Sequence, residues 1–239
     1  MNVLEVNFEK KLKNFPLHIQ FQAEGGCIGI LGASGCGKSM TFKAIAGIET
    51  PDSGKICLGK RELFHRGHKV NLPPRKRSVG YLFQSYALFP NMTVFQNIEA
   101  GIQGKKAAKR ERAMEMMEKF HLSELASGYP ARLSGGQQQR TLLARALCAT
   151  SKVILLDEPV TGLDPKVTAE FYQVTKDLNE EGIAVIMVSH DVQALTYATH
   201  ILHMDQTDSF YGTKEEYMNS DKWKLFKNTE EDRIGGEKK

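Results

Sequence analysis

Residues 32–39 read GASGCGKS and lie between a short apolar run, CIGIL at residues 27–31, and a helix-like segment from Lys38 to about Ile48. This glycine pattern between a strand and a helix is typical of a phosphate-binding loop. Glycine is needed because the backbone wraps closely around a phosphate chain, and a Cβ blocks several of the required conformations. A plain glycine turn with a surface lysine is the alternative, but it does not explain the flanking strand and helix.

The residues of this stretch have distinct predicted roles. We expect Lys38 to bridge the β- and γ-phosphates of a nucleotide, and the Ser39 hydroxyl to hold a Mg²⁺ ion that spans them. The predicted nucleotide-binding residues of the stretch are Gly32, Ala33, Ser34, Gly35, Cys36, Gly37, Lys38, Ser39 and Met40.

Residues 153–158, VILLDE, predict a buried strand that ends in two carboxylates. If this strand lies next to the strand that precedes the phosphate-binding loop, Asp157 can reach the Mg²⁺ shell. Glu158 is then placed to polarise an attacking water as a general base. Taken alone, the segment is equally compatible with a strand that ends in two solvated acids.

Residues 133–137 read LSGGQ and form a second glycine-rich turn that opens a helix. One nucleotide does not need two phosphate-binding turns. With the order of motifs from residue 32 to residue 190, this turn makes the sequence resemble the ABC ATPases, whose signature reads LSGGQ. In that family the signature of one subunit closes over the γ-phosphate held by the other, which implies a head-to-tail pair of identical chains with two composite ATP sites.

The resemblance implies roles for further residues. Gln84 is expected to contact Mg²⁺ and water, and His190 to hydrogen-bond the γ-phosphate and steady the attacking water. Asp164 is expected in the loop that crosses the dimer interface, although a helix N-cap before Pro165 is an equally good explanation. The residues implied to contact the partner's ATP are Ser134, Gly135, Gly136 and Gln137.

An aromatic that stacks on adenine is also implied by the family. Phe8 and Phe15 are both candidates, and both are also suited to the core. The sequence departs from the commonest family wording at Cys36, at Met40 and at residues 161–162, and none of these changes removes a functional atom.

The predicted fold is α/β, a phosphate-loop NTPase with a RecA-like parallel core sheet, an antiparallel hairpin region and an inserted helical subdomain. Alternating side chains at residues 3–8 and 17–21 predict the hairpin, and the apolar runs 153–156 and 184–188 predict strands buried on both faces. The expected division is a catalytic core (1–85 and 151–220), a helical signature subdomain (86–150) and a frayed tail (221–239), with fraying after Tyr217.

Composition excludes several classes of protein. The 239 residues are 41% hydrophobic with a net charge of +4, which predicts a globular chain and does not indicate nucleic acid. The basic run at residues 105–112 is followed by glutamates at helical spacing, which indicates a solvated face. Charges interrupt the N-terminus, and no stretch approaches the roughly 18 apolar residues of a membrane span, so other chains must supply any membrane-crossing part.

A single cassette without a span resembles the ATPase subunits of importers. Residues 72–81 and 87–94 resemble cassettes of oxyanion, sugar and polyamine importers, and residues 9–15, EKKLKNF, resemble molybdate or tungstate importers. The resemblance implies transmembrane permease subunits, indirectly an extracytoplasmic solute-binding protein, and a location at the cytoplasmic face of the cell membrane. The alternatives are an importer of sulfate, polyamine or sugar, an ABC ATPase acting on nucleic acid, and a non-hydrolysing binder.

Two histidine pairs have a spacing that metal sites sometimes use. They are His65 with His68 and His200 with His203. No carboxylate or thiolate pattern joins either pair in the sequence, so all four are expected to be non-ligands.

Overall fold

The computed structural model describes residues 4–83, 88–150, 152–189, 192–205 and 209–226. Its strands are β1 (Leu4–Lys11), β2 (Pro16–Ala23), β3 (Cys27–Leu31), β4 (Ser53–Leu58), β5 (Arg61–His65), β6 (Val70–Asn71), β7 (Val79–Leu82), β8 (Val153–Asp157), β9 (Ala184–Val188), β10 (His200–His203) and β11 (Phe210–Thr213). Its helices are α1 (Lys38–Ala46), α2 (Val94–Glu99), α3 (Lys106–Lys119), α4 (Gly135–Leu147), α5 (Pro165–Glu180), α6 (Val192–Tyr197) and α7 (Lys214–Met218).

The core sheet has six strands in the order β11-β10-β3-β9-β8-β7 and is parallel apart from β11 at its edge. Every residue of β3, β8 and β9 is buried, as expected of parallel strands covered on both faces. The phosphate-binding loop follows β3 and Glu158 follows β8, so both lie at the carboxyl edge of the sheet. The predicted parallel α/β core is confirmed.

One detail of the predicted topology is wrong. The strand that ends in Asp157 was expected beside the strand that precedes the phosphate-binding loop, whereas β9 lies between β3 and β8. The sequence could not reveal this order, because both strands are continuous apolar runs that carry no record of their neighbours. Asp157 therefore reaches the loop across the end of β9.

A second sheet is antiparallel, in the order β2-β1-β4-β5-β6. The predicted hairpin is confirmed and longer than expected, with Leu4 opposite Ala23 and Lys11 opposite Pro16. Gly54, in β4, has φ +89, and a Cβ there would lie 2.2 Å from the carbonyl oxygen of Asn7. Only glycine permits this close approach between β1 and β4.

Helices α2, α3 and α4 share an apolar cluster with one face of the core sheet. Met116, Met117 and Phe120 of the α3 region pack with Leu143 and Leu147 of α4 in this cluster. The helical character predicted from residue 94 to residue 150 agrees with this arrangement. Among the described residues, no helix combines the length and apolar character needed to cross a membrane.

Arg77 is a fully buried cation at the junction of the two sheets. Its guanidinium donates to the backbone carbonyl oxygens of Ala44 (2.7 Å) and Ile45 (2.9 Å) at the end of α1. It also donates to the backbone carbonyl oxygen of Leu72 and to the side-chain Oδ1 of Asn71, both at 2.8 Å. Burial lowers its pKa to about 10. Since the last carbonyls of a helix have no partner within the helix, Arg77 satisfies the end of α1 and ties it to the segment before β7.

The chain beyond Tyr217 does not fray where the sequence predicted. Residues 221–226 are helical. Trp223 and Phe226 pack on a cluster that contains Tyr217 and Leu31. Charge dominates this segment, but two aromatic side chains are enough to hold it on the core.

Candidate nucleotide-binding site

The phosphate-binding loop requires glycine at two positions for steric reasons. Gly32 has φ +139, and a Cβ there would lie 2.2 Å from the carbonyl oxygen of Met204. Gly37 has φ +106, and a Cβ there would lie 2.7 Å from a methyl group of Leu17. The loop is thus a tight turn pressed against β2 and the end of β10, with Ala33, Ser34 and Gly35 exposed above it.

Lys38 points back into this loop. The residue is 7% exposed, and its ammonium donates to the carbonyl oxygens of Gly32 (2.6 Å) and Ala33 (3.0 Å). A buried ammonium that donates to two neutral carbonyls fits an anionic ligand, because an anion satisfies both its charge and its N–H groups.

Asp157 ends β8 and is 4% exposed. Burial raises its pKa, and hydrogen bonds from Ser39 and Tyr81 oppose that shift. Glu158 raises the pKa further and Lys38 lowers it, so the structure brings Lys38, Ser39 and Asp157 together as predicted. A buried carboxylate whose charged form is disfavoured, beside a hydroxyl, fits a divalent cation, which would stabilise that charge.

Tyr81 also belongs to this site, and the sequence alone did not predict it. Its hydroxyl donates to Asp157 at 3.2 Å. Burial raises the pKa of Tyr81, and the nearby Asp157 raises it further. The contact arises because β7 pairs with β8, with Tyr81 opposite Leu155. A tyrosine in an apolar strand was the available signal, but its partner depends on strand order.

Glu158 has a left-handed backbone with φ +50. Its N–H donates to the carbonyl oxygen of Val188 at 2.9 Å, and the Thr161 hydroxyl donates to its carboxylate at 3.4 Å. A non-glycine residue in this region costs about 1–3 kcal/mol and persists where the surrounding structure imposes it. The backbone is therefore strained at the residue predicted to act as the base.

The signature turn, residues 133–137, begins α4 with a capping box. The Ser134 hydroxyl accepts the N–H of Gln137 at 3.3 Å, and the Gln137 side chain accepts the N–H of Ser134 at 2.9 Å. Ser134 and Gly135 are exposed. Gly136 faces Val167 of α5, where a Cβ would lie 2.9 Å from a methyl group, so the turn packs closely on the segment that follows Glu158.

Asp164 is the N-cap of α5, which was one of the two roles predicted for it. Its carboxylate accepts the N–H groups of Lys166 and Val167, both at 3.0 Å. The residue is also exposed, so the cap does not exclude a second role at an interface.

The remaining predicted site residues have different outcomes. Gln84 and His190 lie outside the described residues. Phe8 is 1% exposed and faces the core between the sheets, which removes it as a stacking surface. Phe15 is half-buried at the end of the hairpin, two residues before Leu17, which contacts Gly37. Cys36 is buried, which raises the pKa of its thiol.

The histidine pairs also separate. His203 hydrogen-bonds the Tyr217 hydroxyl at 2.7 Å and His200 stacks on Tyr211, so this pair is divided. The fold joins a carboxylate to the other pair, although the sequence shows no such pattern, because Glu62 Oε1 lies 2.8 Å from His68 Nδ1.

The chain is similar to ATP-binding proteins of ABC transporters. A family model described as ABC transporter matches residues 15–161. The Fe(3+) ions import ATP-binding protein FbpC 2 of Rhizobium meliloti (strain 1021) is 41% identical over 202 residues, covering 82% of this chain and 49% of the relative. The sulfate/thiosulfate import ATP-binding protein CysA of Vibrio vulnificus (strain CMCP6) is 41% identical, covering 80% and 57%. The spermidine/putrescine import ATP-binding protein PotA of Thermotoga maritima (strain ATCC 43589 / DSM 3109 / JCM 10099 / NBRC 100826 / MSB8) is 39% identical, covering 82% and 52%. The chain spans about half the length of these curated relatives.

Solved structures share the fold. The ADP conformation of MJ1267, an ATP-binding cassette of an ABC transporter, has a TM-score of 0.80 at 22% identity over 95% of this chain and 98% of that one, which bears on fold alone. A putative metal-chelate type ABC transporter in an inward-facing conformation has a TM-score of 0.76 at 26% identity, covering 90% and 85%. The dimeric post-hydrolysis state of the ATP-binding cassette MJ0796 bound to ADP and Pi has a TM-score of 0.68 at 26% identity, covering 87% and 98%.

Proposed function

Because the chain belongs to the ABC transporter family, we propose that it is the ATP-binding and ATP-hydrolysing subunit of an importer and works as a head-to-tail dimer. One observation carries the proposal. The chain has two separate glycine turns, and the first faces Lys38 and Asp157 while the second leaves Ser134 and Gly135 exposed. An exposed second turn is what a composite site needs, because it can close over a nucleotide held by another copy.

Nucleotide binding follows from the contacts of the phosphate-binding loop. Lys38 would exchange its two carbonyl partners for the β- and γ-phosphates, and the loop N–H groups would receive the phosphate oxygens. Ser39 and Asp157 would hold Mg²⁺, which when bound neutralises charge on those phosphates. Phe15, at the exposed end of the hairpin beside the loop, would stack on adenine.

Hydrolysis is assigned to Glu158 as general base. Its left-handed backbone fixes the carboxylate at the edge of the sheet, where Thr161 donates to it and steadies its orientation. Gln84 and His190 are proposed to orient the attacking water and the γ-phosphate. In-line attack then gives ADP and phosphate, and loss of the phosphate removes the contact that holds the two copies together.

Coupling to the membrane is proposed to use a groove of about 220 Å³ between β7 and the helical subdomain (86–150). Phe89, Gly101 and Arg145 line it. The Arg145 guanidinium carbon stacks over the Phe89 ring, 4.9 Å from the ring centroid. Phe89 is nevertheless 45% exposed. An exposed aromatic over a shallow groove suits a short helix of a permease subunit, which would place this chain at the cytoplasmic face of the membrane.

The imported solute is assigned by resemblance alone. The named relatives import Fe(3+) ions, sulfate or thiosulfate, and spermidine or putrescine. We propose an oxyanion, molybdate or tungstate, on the likeness of residues 9–15, with sulfate and polyamine as the alternatives. The test measures ATP hydrolysis by the chain with its permease subunits, in the presence of an extracytoplasmic binding protein loaded with each solute in turn.

The decisive experiment for the ATPase uses Glu158→Gln. With ATP and Mg²⁺ we expect the variant to lose hydrolysis by at least about 100-fold, since a general base contributes that much, and to accumulate as a dimer. Light scattering after size exclusion measures the mass, with the permease subunits supplied in a parallel sample. Glu124→Gln, at an exposed glutamate of the helical region, is the control and should keep wild-type turnover. Full hydrolysis in Glu158→Gln, or a monomer under both conditions, contradicts the proposal.

A further inference from the structure

Three potential metal ligands converge at the β5–β6 hairpin, which belongs to a different sheet from the strand before the phosphate-binding loop. They are Glu62, His65 and His68, and one ligand atom from each lies within 4.8 Å of the other two. We refer to them as the histidine cluster. Glu62 Oε1 lies 2.8 Å from His68 Nδ1, and the two imidazole rings stack with centroids 3.7 Å apart.

A β-bulge brings Glu62 and His65 to the same side of β5. Residues three apart on a regular strand point to opposite faces. Here Cys57 pairs with Glu62 while Ile56 pairs with Phe64, so Leu63 is an extra residue and the alternation shifts by one. Leu63 and Phe64 are consequently both buried, and Glu62 and His65 both reach the surface.

The turn after β5 supplies the third ligand. The backbone N–H of His68 donates to His65 Nδ1 at 3.1 Å, and Lys69 adopts a left-handed backbone with φ 57. Together they fold His68 back over His65. The cluster therefore comes from one short hairpin, and its geometry depends on the bulge and on the turn.

Three other histidines of the described chain, His18, His200 and His203, have neighbours but lack this geometry. His18 lies 3.2 Å from Glu9, but this is a pair of two groups on neighbouring strands. His200 and His203 sit three apart on a regular strand and engage different neighbours. Within the described residues, only the histidine cluster brings three potential ligands together.

We propose that Glu62, His65 and His68 bind a divalent transition-metal ion of the zinc type, with at least one coordination position left to water. Two imidazoles and one carboxylate are the ligand types zinc accepts, while Mg²⁺ and Ca²⁺ take oxygen ligands. Zn²⁺ bonds of about 2.0–2.2 Å place tetrahedral ligand atoms roughly 3.3–3.6 Å apart, so the present spread of up to 4.8 Å must contract by up to about 1.5 Å.

Binding requires a local change that the hairpin permits. A metal lies in the plane of each imidazole, so two parallel rings must rotate about their Cβ–Cγ bonds and unstack, and His65 gives up the backbone contact at Nδ1. The His68 side chain is 64% exposed and that of Glu62 is 32% exposed, which leaves room for this rotation. The ion would then close the loop from residue 62 to residue 68 and stiffen the hairpin.

The experiment titrates the reduced, tag-free chain with Zn²⁺ against a chromophoric chelator, without nucleotide. We expect the wild-type chain to compete with the chelator for one Zn²⁺. Binding should be at least about tenfold weaker in each of Glu62→Gln, His65→Gln and His68→Gln, since even substitutions of residues that only support the ligands cost that much. Zn²⁺ should also raise the melting temperature of the wild type and not that of His65→Gln. Because no nucleotide is present, the result does not depend on the proposed function.

Two control variants locate the ion. His18→Gln removes a histidine from a two-group site, and Cys57→Ser removes the thiol opposite Glu62. Both should bind Zn²⁺ as the wild type does. The proposal is overturned if the three cluster variants bind like the wild type, if Cys57→Ser alone loses the ion, or if excess Mg²⁺ displaces Zn²⁺. Circular dichroism verifies that each variant is folded, which the exposure of these side chains favours.

Discussion

Asp157 shows how a single residue can be suited to a ligand and unsuited to its own fold. Its pKa is raised chiefly by burial, so the folded chain disfavours the carboxylate that the proposed Mg²⁺ needs. We expect Asp157→Asn to raise the free energy of unfolding of the ligand-free chain by about 1 kcal/mol at pH 7.5 while abolishing Mg²⁺-dependent ATP hydrolysis. Urea unfolding and a phosphate-release assay measure the two effects.

The sign of its pH dependence follows from the direction of the shift. The folded state holds the Asp157 proton more tightly than the unfolded state, so the penalty is full above the raised pKa and vanishes as the pH falls to the ordinary 3.8. The advantage of Asp157→Asn should shrink accordingly in acid. Asp221→Asn is the control, because Lys224 lowers the pKa of that exposed carboxylate and its loss should bring no gain. A destabilised Asp157→Asn chain would contradict the assignment.

Among single residues, the sequence predicted the roles of those whose position is set by their neighbours along the chain. Lys38, Ser39 and Asp157 meet as expected because each lies at the junction between a strand or loop and the next element. Tyr81 and Thr161 were missed because their contacts with Asp157 and Glu158 depend on strand order and on a strained turn.

Two helices of the same subdomain begin with the same device, which permits a matched comparison. Thr93 caps α2 and Ser134 caps α4, each in a capping box with a glutamine three residues later. We expect Thr93→Ala and Ser134→Ala each to lower the free energy of unfolding by about 1 kcal/mol. If Ser134 also contacts the partner's nucleotide, only Ser134→Ala should weaken ATP-dependent dimerisation of the Glu158→Gln chain.

Chemical denaturation of Thr93→Ala and Ser134→Ala measures the loss of stability. Light scattering on the same two substitutions in the Glu158→Gln chain measures the loss of dimer. Equal loss of dimer in Thr93→Ala and Ser134→Ala would mean that Ser134 acts only by stabilising α4 and does not contact the partner's nucleotide. Loss in Thr93→Ala alone would place the partner contact elsewhere on the helical subdomain.

Elements were predicted where periodicity is regular. The hairpin, the buried strands and the helices of residues 94–147 follow alternation or helical spacing. The bulge at Leu63 was not predictable, because one extra residue in a strand leaves no periodic signal and is detected only through its partner. Strand order failed for a similar reason, since the placement of β9 is decided by packing.

For the molecule as a whole, His203 at the end of β10 should make the stability of the fold depend on pH in acid. His203 Nδ1 and the Tyr217 hydroxyl form a hydrogen bond of 2.7 Å. Burial lowers the pKa of His203, Lys222 and Lys38 lower it further, and Asp205 opposes them. The folded state therefore binds this proton less well than the unfolded state, and stability should fall as the pH drops below the ordinary 6.5 toward the lowered value.

We expect the melting temperature of the wild type to fall by roughly 2–4 °C more than that of His203→Gln over this interval, equivalent to about 1 kcal/mol. Glutamine is chosen because it can still hydrogen-bond Tyr217 without titrating. His200→Gln, on the same strand, should behave as the wild type does. Parallel curves for wild type and His203→Gln would show that the pH dependence arises elsewhere.

The packing of residues 221–226 has an optical consequence. Trp223 is the single tryptophan of the chain, and it contacts Tyr217 in the cluster that includes Leu31, the residue directly before Gly32. Light absorbed at the red edge of the protein spectrum is thus emitted from one place, the apolar cluster that extends to Leu31. The molecule carries an intrinsic fluorophore where nucleotide-driven rearrangement would be felt, and no dye or introduced cysteine is needed to follow it.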